Sequence, residues 1–258
     1  MDGAVRVEHG DGVIHIHIVR PAKRNALTVA MYAAMAEAMA AAERDDSVRS
    51  VIFSGEGAHF CAGNDLADFL ANASSDPDRP VLRFIRSLAQ ATKILIAAVQ
   101  GKAVGIGTTM LLHCDFVFAD ETAELRMPFV DLALVPEAGS SLLVPALVGQ
   151  RIAAELLLLG EPVNAARAVE LGLVNRVVAP GAALGEARAV AGRLRHKPAQ
   201  ALRATKTLMK SPTRDLNARI DEENAAFAAQ LQTPELRGNI AAFFQARQKP
   251  EDAQGEAA

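Results

Sequence analysis

The run "PFVDLALVPEAGSS", residues 128–141, holds an acid with the means to do chemistry. Glu137 follows Pro136 and precedes Ala138, Gly139 and two serines, just ahead of an apolar run that reads as a helix. One reading makes it a first-turn acid that favours the positive end of that helix. The other makes it a base: its neighbours Leu134, Val135, Pro136 and Ala138 carry no charge, so loss of water would raise its proton affinity.

Two glycine-bearing stretches could serve such a base. In "HFCAGNDL" (59–66), Gly63 follows a strand and loop and would let the backbone approach a ligand closely. In "AAVQGKAVGIGTTML" (97–111), a strand, the triplet Gly105-Ile106-Gly107 and a helix start would gather free N–H groups at a positive helix end. A dinucleotide fingerprint opens the same way but needs a third glycine where Met110 stands. His15 and His17 share one strand face, with no carboxylate and no third histidine expected beside them. His59 and His113 stand alone, so no metal site is expected.

The elements that would hold these residues follow from periodicity. "AVRVEH" and "VIHIHIV" alternate around Gly10-Asp11-Gly12, a hairpin. Thr28 stands where an N-cap should, before the helical "VAMYAAMAEAMAAAER". "SVIFSG", "ILIAAVQG" and "DFVFAD" read as strands, "EGAHFCAGNDL" as a loop, "NASSDPDRP" (72–80) as a mobile surface segment, and 81–91 as a helix. "SLLVPALVGQRIAAELLLLG" reads as two helices broken near Pro145 and Gly149, followed by a short helix in "ARAVELGL" and a strand in "VNRVVA". After about residue 181 every period is helical. An α/β chain ending in an all-helical region is therefore expected.

Bulk properties narrow the function. A chain of 258 residues can bury a large core, and 50% hydrophobic with 22% charged residues is an ordinary globular profile. A net charge of −3 gives no reason to expect nucleic acid. No apolar run reaches membrane-spanning length, the first ten residues do not read as a signal peptide, and "EDAQGEAA" reads as a frayed polar tail with no peroxisomal address. Cys61 and Cys114 form no CxxC and read as reduced, buried thiols of an intracellular, cytoplasmic protein.

Taken in order, "RPAKRNALT", "SVRSVIFSGEGAHFCAGNDL", "LIAAVQGKAVGIGTTMLLHCDFVFADETAEL", "PFVDLALVPEAGSSLLVPALVG" and "AARAVELGLVNRVV" resemble the crotonase (enoyl-CoA hydratase/isomerase) superfamily. The resemblance implies a ClpP-like spiral of ββα turns over residues 1–195 carrying an acyl-CoA site. It also implies a helical region, 196–258, that builds a homotrimer or a dimer of trimers. It implies an acyl-CoA thioester substrate and no separate cofactor. By motif position, the amides of Asn64 and Ile106 would hold the thioester oxygen, leaving their side chains free to vary. Arg24 and Ala26 would contact CoA, with Arg24 at its phosphates. Ala62, Asp65 and Leu66 would flank its adenine end, and Gly63, Gly105 and Phe129 would line the site.

Hydratases of that family activate water with two glutamates, and the matching positions here are Thr109 and Phe129. Neither can exchange a proton with water as a carboxylate does. Glu137 falls where peroxisomal-type Δ3,Δ2-enoyl-CoA isomerases carry a single glutamate, so the resemblance implies that activity. Hydration, aryl-CoA dehalogenation with an acid nucleophile, and a non-catalytic acyl-CoA-binding scaffold are the alternatives. The absence of tryptophan and the single tyrosine argue against an aryl pocket. Apolar positions in the last helices, such as Leu202, Leu208, Ile220, Phe227 and Leu231, exceed what one sheet face needs and point to an oligomer.

Overall fold

The computed structural model describes residues 4–72, 76, 78–210 and 213–248. The alternating start becomes a hairpin of β1 (Ala4–Gly10) and β2 (Val13–Val19). Asp11 and Gly12 both have positive φ, 54° and 75°, the backbone of a two-residue turn whose twist matches the strands. Thr28 caps α1 (Val29–Arg44), its side chain accepting from the Met31 amide at 3.3 Å. Next come β3 (Ser50–Gly55), a short α2 (Leu66–Ala71), α3 (Pro80–Gln90) and β4 (Ile94–Val99). Residues 73–75 and 77 of the segment expected to be mobile, and the tail 251–258, lie outside the described residues.

After β4 the chain forms β5 (Lys102–Val104), α4 (Ile106–Thr109), a 3₁₀ turn (Met110–His113), β6 (Phe116–Asp120) and β7 (Glu124–Arg126). Then follow α5 (Ser140–Val148), α6 (Gln150–Leu157), β8 (Val163–Asn164), α7 (Ala165–Glu170), β9 (Arg176–Val178) and α8 (Ala183–Arg195). The chain continues through α9 (Ala199–Met209), α10 (Thr213–Gln230) and α11 (Pro234–Gln248).

Six strands form one sheet in the order β1-β2-β3-β4-β6-β9, parallel except for the hairpin. Every residue of β3 and β4 is buried, as expected of strands covered on both faces. Ile14, Ile16, Phe53 and Leu95 face α1 and α3, whereas Ile52, Ile96 and Phe118 face Ala187, Val190 and Ala191 of α8. A second sheet has the order β5-β7-β8. Its strands are two or three residues long, too short to show a period, so the sequence does not foretell it.

Several expectations change. Pro145 does not break a helix: it sits inside α5, and the break comes at Gly149. The helix forgoes the one hydrogen bond that Pro145 has no N–H to make. The two histidines do have carboxylates. Pairing of Glu8 with His15 and of His17 with Ser54 produces a chain across the sheet. In it, His15 Nε2 and His17 Nδ1 each lie 2.6 Å from Ser54 Oγ, His17 Nε2 lies 2.6 Å from Glu56, and His15 Nδ1 lies 3.6 Å from Glu8. No group of three or more His, Cys, Asp or Glu able to hold a metal occurs among the described residues. Both cysteines are free, but Cys114 is half-buried where Cys61 is buried. Of the late apolar positions, Ile220, Phe227 and Leu231 are buried in the chain's own core and Leu202 packs against it, while Leu208 stays 77% exposed. No described helix is long and apolar enough to cross a membrane.

Asn25, which the sequence does not single out, ties the loops together. Fully buried and left-handed (φ 58°), it accepts from the Arg20 amide at 2.8 Å and donates to the carbonyls of Glu56 and His59 at 2.9 and 2.6 Å. Asn25→Ala strands one buried N–H and two part-buried carbonyls, each worth about 1–3 kcal/mol. Urea unfolding should therefore show a loss of about 3 kcal/mol or more; a loss below about 1 kcal/mol would mean that water replaces the side chain.

Candidate active site

Three loops lie side by side to form one wall of a cleft of about 680 Å³. The Leu27 amide donates to Gly63 O at 2.8 Å, and the Asp65 amide returns to Leu27 O at 2.8 Å. Cys61 bridges Ala103 in parallel fashion, its amide donating to Lys102 O and the Val104 amide returning to Cys61 O. Gly63 (φ 88°) has no room for a side chain, since a Cβ there would sit 2.9 Å from Val104 O. Gly105 faces open space, so its need is the backbone angle (φ 55°, ψ −121°) that swings the chain from β5 into α4.

Arg24, Ala26, Ala62, Gly63, Asn64, Asp65, Leu66, Gly105, Ile106 and Phe129 all line this cleft. The parallel bridge at Leu27 uses the Gly63 carbonyl and the Asp65 N–H, on either side of Asn64, and turns Asn64's own N–H away from that strand. Ile106 opens α4, where an amide has no acceptor one turn back. Among the described residues, neither amide donates to another residue. The side chains at these positions are not free to vary, contrary to expectation. Asn64 Oδ1 accepts from the Tyr32 hydroxyl at 2.6 Å, and Ile106 is buried in the core.

The cationic side of the cleft includes a residue missed in the sequence. Lys23 lines it beside Arg24, and both are exposed without a carboxylate partner among the described residues. Two adjacent cations in "PAKRN" were the available signal. By contrast, Arg20 pairs with Asp65 at 2.7 Å and Arg126 with Asp131 at 3.1 Å. The Asp65 carboxylate also caps α2 through the Ala67 and Asp68 amides.

Glu137 lies at a small cavity of about 20 Å³ that shares Asn64, Phe69 and Phe227 with the cleft. It is not a first-turn acid. The helix α5 begins at Ser140 with Gly139 as its cap, so Glu137 precedes it. The helix's amides are taken by another carboxylate: Glu223 accepts from Gly139 N at 2.5 Å and from Ser141 N at 2.8 Å. Ser140 donates both its hydroxyl and its amide to the Glu137 carbonyl. Ala138 and Gly139 are both left-handed, φ 58° and 73°, and His113 Nε2–H donates to Ala138 O at 2.8 Å. Burial pushes the His113 imidazole down to about 4, so it makes this bond as a neutral ring.

Among the described residues the Glu137 side chain meets one hydrogen-bond partner, the Thr109 hydroxyl, which donates to Oε1 at 2.6 Å. Thr109 ends the helix that Ile106 begins, so one turn of α4 links an unengaged amide to the carboxylate. Burial raises the Glu137 carboxyl to about 7, Thr109's hydrogen bond opposes that rise, and the charge of Glu223 adds to it. Phe129, the other position matched to a hydratase glutamate, is buried and apolar.

Comparison with known proteins agrees with this architecture. A family model described as enoyl-CoA hydratase/isomerase matches residues 8–252. The chain is 33% identical over 248 residues to the 1,2-epoxyphenylacetyl-CoA isomerase of Escherichia coli, covering 92% of this chain and 93% of that one. It is 37% identical over 179 residues to the mouse peroxisomal enoyl-CoA delta isomerase 3, covering 67% of this chain and 56% of that protein. A solved structure of Pseudomonas aeruginosa OdaA superposes with a TM-score of 0.90 at 44% identity, over 93% of this chain and 98% of that one. Relatives of similar identity bear the names of hydratases and of 4-chlorobenzoyl-CoA dehalogenases, so family membership leaves the individual reaction open. The α/β spiral with its helical end is the crotonase fold, and the chain belongs to the enoyl-CoA hydratase/isomerase family of enzymes.

Proposed function

We propose that this enzyme is a Δ3,Δ2-enoyl-CoA isomerase in which Glu137 moves the proton and the amides of Asn64 and Ile106 receive the thioester oxygen. The observation that carries this reading is the state of the carboxylates. Four acids line the cleft and its small neighbour among the described residues: Asp65, Asp131, Glu137 and Glu223. Asp65 and Asp131 pair with arginines, and Glu223 holds two backbone amides. Glu137 alone meets only a neutral hydroxyl.

One carboxylate is sufficient for the reaction. Glu137 takes the proton from C2, and the electron pair of that C–H bond forms a C1–C2 double bond, placing charge on the thioester oxygen and, by conjugation with the 3,4 double bond, on C4. The dienolate then collapses, and the same carboxyl returns a proton to C4, leaving the double bond between C2 and C3. The step is redox-neutral and needs no cofactor beyond the CoA of the substrate. An α-proton is less acidic than a carboxylic acid by on the order of ten pKa units, each about 1.4 kcal/mol. A carboxyl raised to about 7 narrows that gap. Two preorganised N–H donors lower the rest by stabilising charge that exists only after proton removal. Hydration requires a second group to deliver water, and Thr109 and Phe129 are poor substitutes for the paired glutamates the resemblance assigns to hydratases. Exposed Lys23 and Arg24 suit the CoA phosphates. A homotrimer or dimer of trimers belongs to the same proposal, supported by Leu208 and Met209 on α9, 77% and 74% exposed.

Assayed side by side, 3-hexenoyl-CoA should be turned over far faster than crotonyl-CoA is hydrated; equal rates would overturn the isomerase reading. Glu137→Gln keeps the shape and the bond from Thr109 but cannot carry a proton, so kcat should fall by about 10²–10⁴-fold with acyl-CoA binding retained. In the wild type, kcat/KM should fall as pH drops below about 7, where the base gains its proton.

Stability should move the other way. The native carboxyl keeps its proton to about 7, whereas the unfolded one loses it near 4.5. The native state therefore binds the extra proton, and the penalty of a buried charge builds as pH rises between those values. Glu137→Gln removes that penalty and should raise stability at about pH 8 by roughly 1–3 kcal/mol relative to about pH 5. Parallel melts at the two pH values check this. A variant that melts lower at both would return Glu137 to a structural role. Sedimentation at micromolar concentration should show an oligomer, and a stable monomer would remove that part of the proposal.

A further inference from the structure

Glu223 stands on α10, far along the chain from the turn it touches, and its carboxylate is buried. Its two oxygens take the amides of Gly139 and Ser141, on either side of the first residue of α5. A negative charge is favourable there, because the free amides at a helix start carry partial positive charge. The turn needs a restraint. Ala138 is left-handed, a conformation that costs a residue with a side chain roughly 1–2 kcal/mol. Relaxation of the backbone out of that conformation would swing Glu137 away from Thr109. His113 holds the turn by the Ala138 carbonyl, and Glu223 holds the two amides that follow.

We propose that Glu223 is a positioning residue for the reaction: by clamping Gly139 and Ser141 from α10, it fixes the turn that aims Glu137, and its own charge bears on that of Glu137. The proposal rests on the reading of Glu137 as the base. The groups around Glu137 make Glu223's charge the opposing one. From α1, Tyr32 is kept neutral because burial pushes its hydroxyl well up. From the loop after β3, burial pushes the Cys61 thiol up to about 12. From the 3₁₀ turn, His113 is neutral, and Thr109 carries no charge. Arg79, at the start of α3, lines the same small cavity and donates to Asn224 at 2.5 Å. Burial pushes the Glu223 carboxyl up, and the hydrogen bonds from Ser141 and Gly139 and the charge of Arg219, on α10 itself, oppose that rise. With Glu223 ionised, Glu137 keeps its proton to higher pH than burial alone would dictate.

Glu223→Gln and Glu223→Asp separate the clamp from the charge. Glutamine retains one acceptor oxygen but presents an NH₂ to the second amide and carries no charge. Measured with 3-hexenoyl-CoA, kcat should drop about 10–100-fold with KM little changed, the scale of a base misplaced by about 1 Å. The acidic limb of the kcat/KM profile should move to lower pH. Aspartate keeps the charge but is one methylene too short for both amides. Its kcat should drop while the limb stays near the wild-type position. If Glu223→Gln leaves kcat and the limb where they are and only lowers the melting temperature, Glu223 is a helix cap alone and the inference is overturned. The same holds if Glu223→Asp retains full kcat. A wild-type profile that is flat through pH 7 would instead overturn the reading of Glu137 itself, and this inference with it.

Discussion

A single hydrogen bond, from the Thr109 hydroxyl to Glu137 at 2.6 Å, joins the two halves of the site. On one side is α4, which begins at Ile106 and depends on Gly105 adopting an angle open only to glycine. On the other is the turn of residues 137–139, whose left-handed Ala138 and Gly139 are held by His113 and by Glu223. A neutral partner in a half-buried place leaves the carboxylate poorly solvated and incompletely paired. That combination raises its proton affinity without removing its charge altogether. An arginine in place of Thr109 would have produced a salt bridge and an inert acid.

The rest of the architecture can be understood as the support of that contact. The parallel core strands β3 and β4 deliver the chain to the loops that begin at Glu56 and Gln100. Asn25 fastens the first of these loops to the hairpin side, and the small sheet β5-β7-β8 fastens the second. Among the described residues the amides of Asn64 and Ile106 are thereby left unengaged at one cleft, because each sits where the local hydrogen-bond pattern turns its N–H outward. The helical end contributes more than bulk: α10 brings Phe227 to the cleft and Glu223 to the turn.

Much of this was legible in the sequence because the signals are local. The Asp11-Gly12 turn, the Thr28 cap, the buried runs at β3 and β4 and the glycines at 63 and 105 act within a few residues of themselves. Glu137 could be noticed but not assigned, since a helix-start acid and a base look alike in one dimension. What distinguishes them is Glu223, which occupies the helix-start role from 84 residues beyond Gly139. The chain Glu8–His15–Ser54–His17–Glu56 was hidden for the same reason: its members meet only through strand register. The small sheet escaped because strands of two or three residues carry no periodicity, and Pro145 misled because a nine-residue helix tolerates the loss of one hydrogen bond.

The central claim is that one carboxyl carries one proton between two carbons of the same substrate. The most direct measurement follows 3-hexenoyl-CoA bearing deuterium at C2 through a single turnover, with the product examined by mass spectrometry and NMR. A shuttle through Glu137 predicts 2-hexenoyl-CoA with a measurable share of the label at C4, and loss of that transfer in Glu137→Gln. Product with C4 hydrogen drawn wholly from solvent, or with a hydroxyl at C3, would contradict the account.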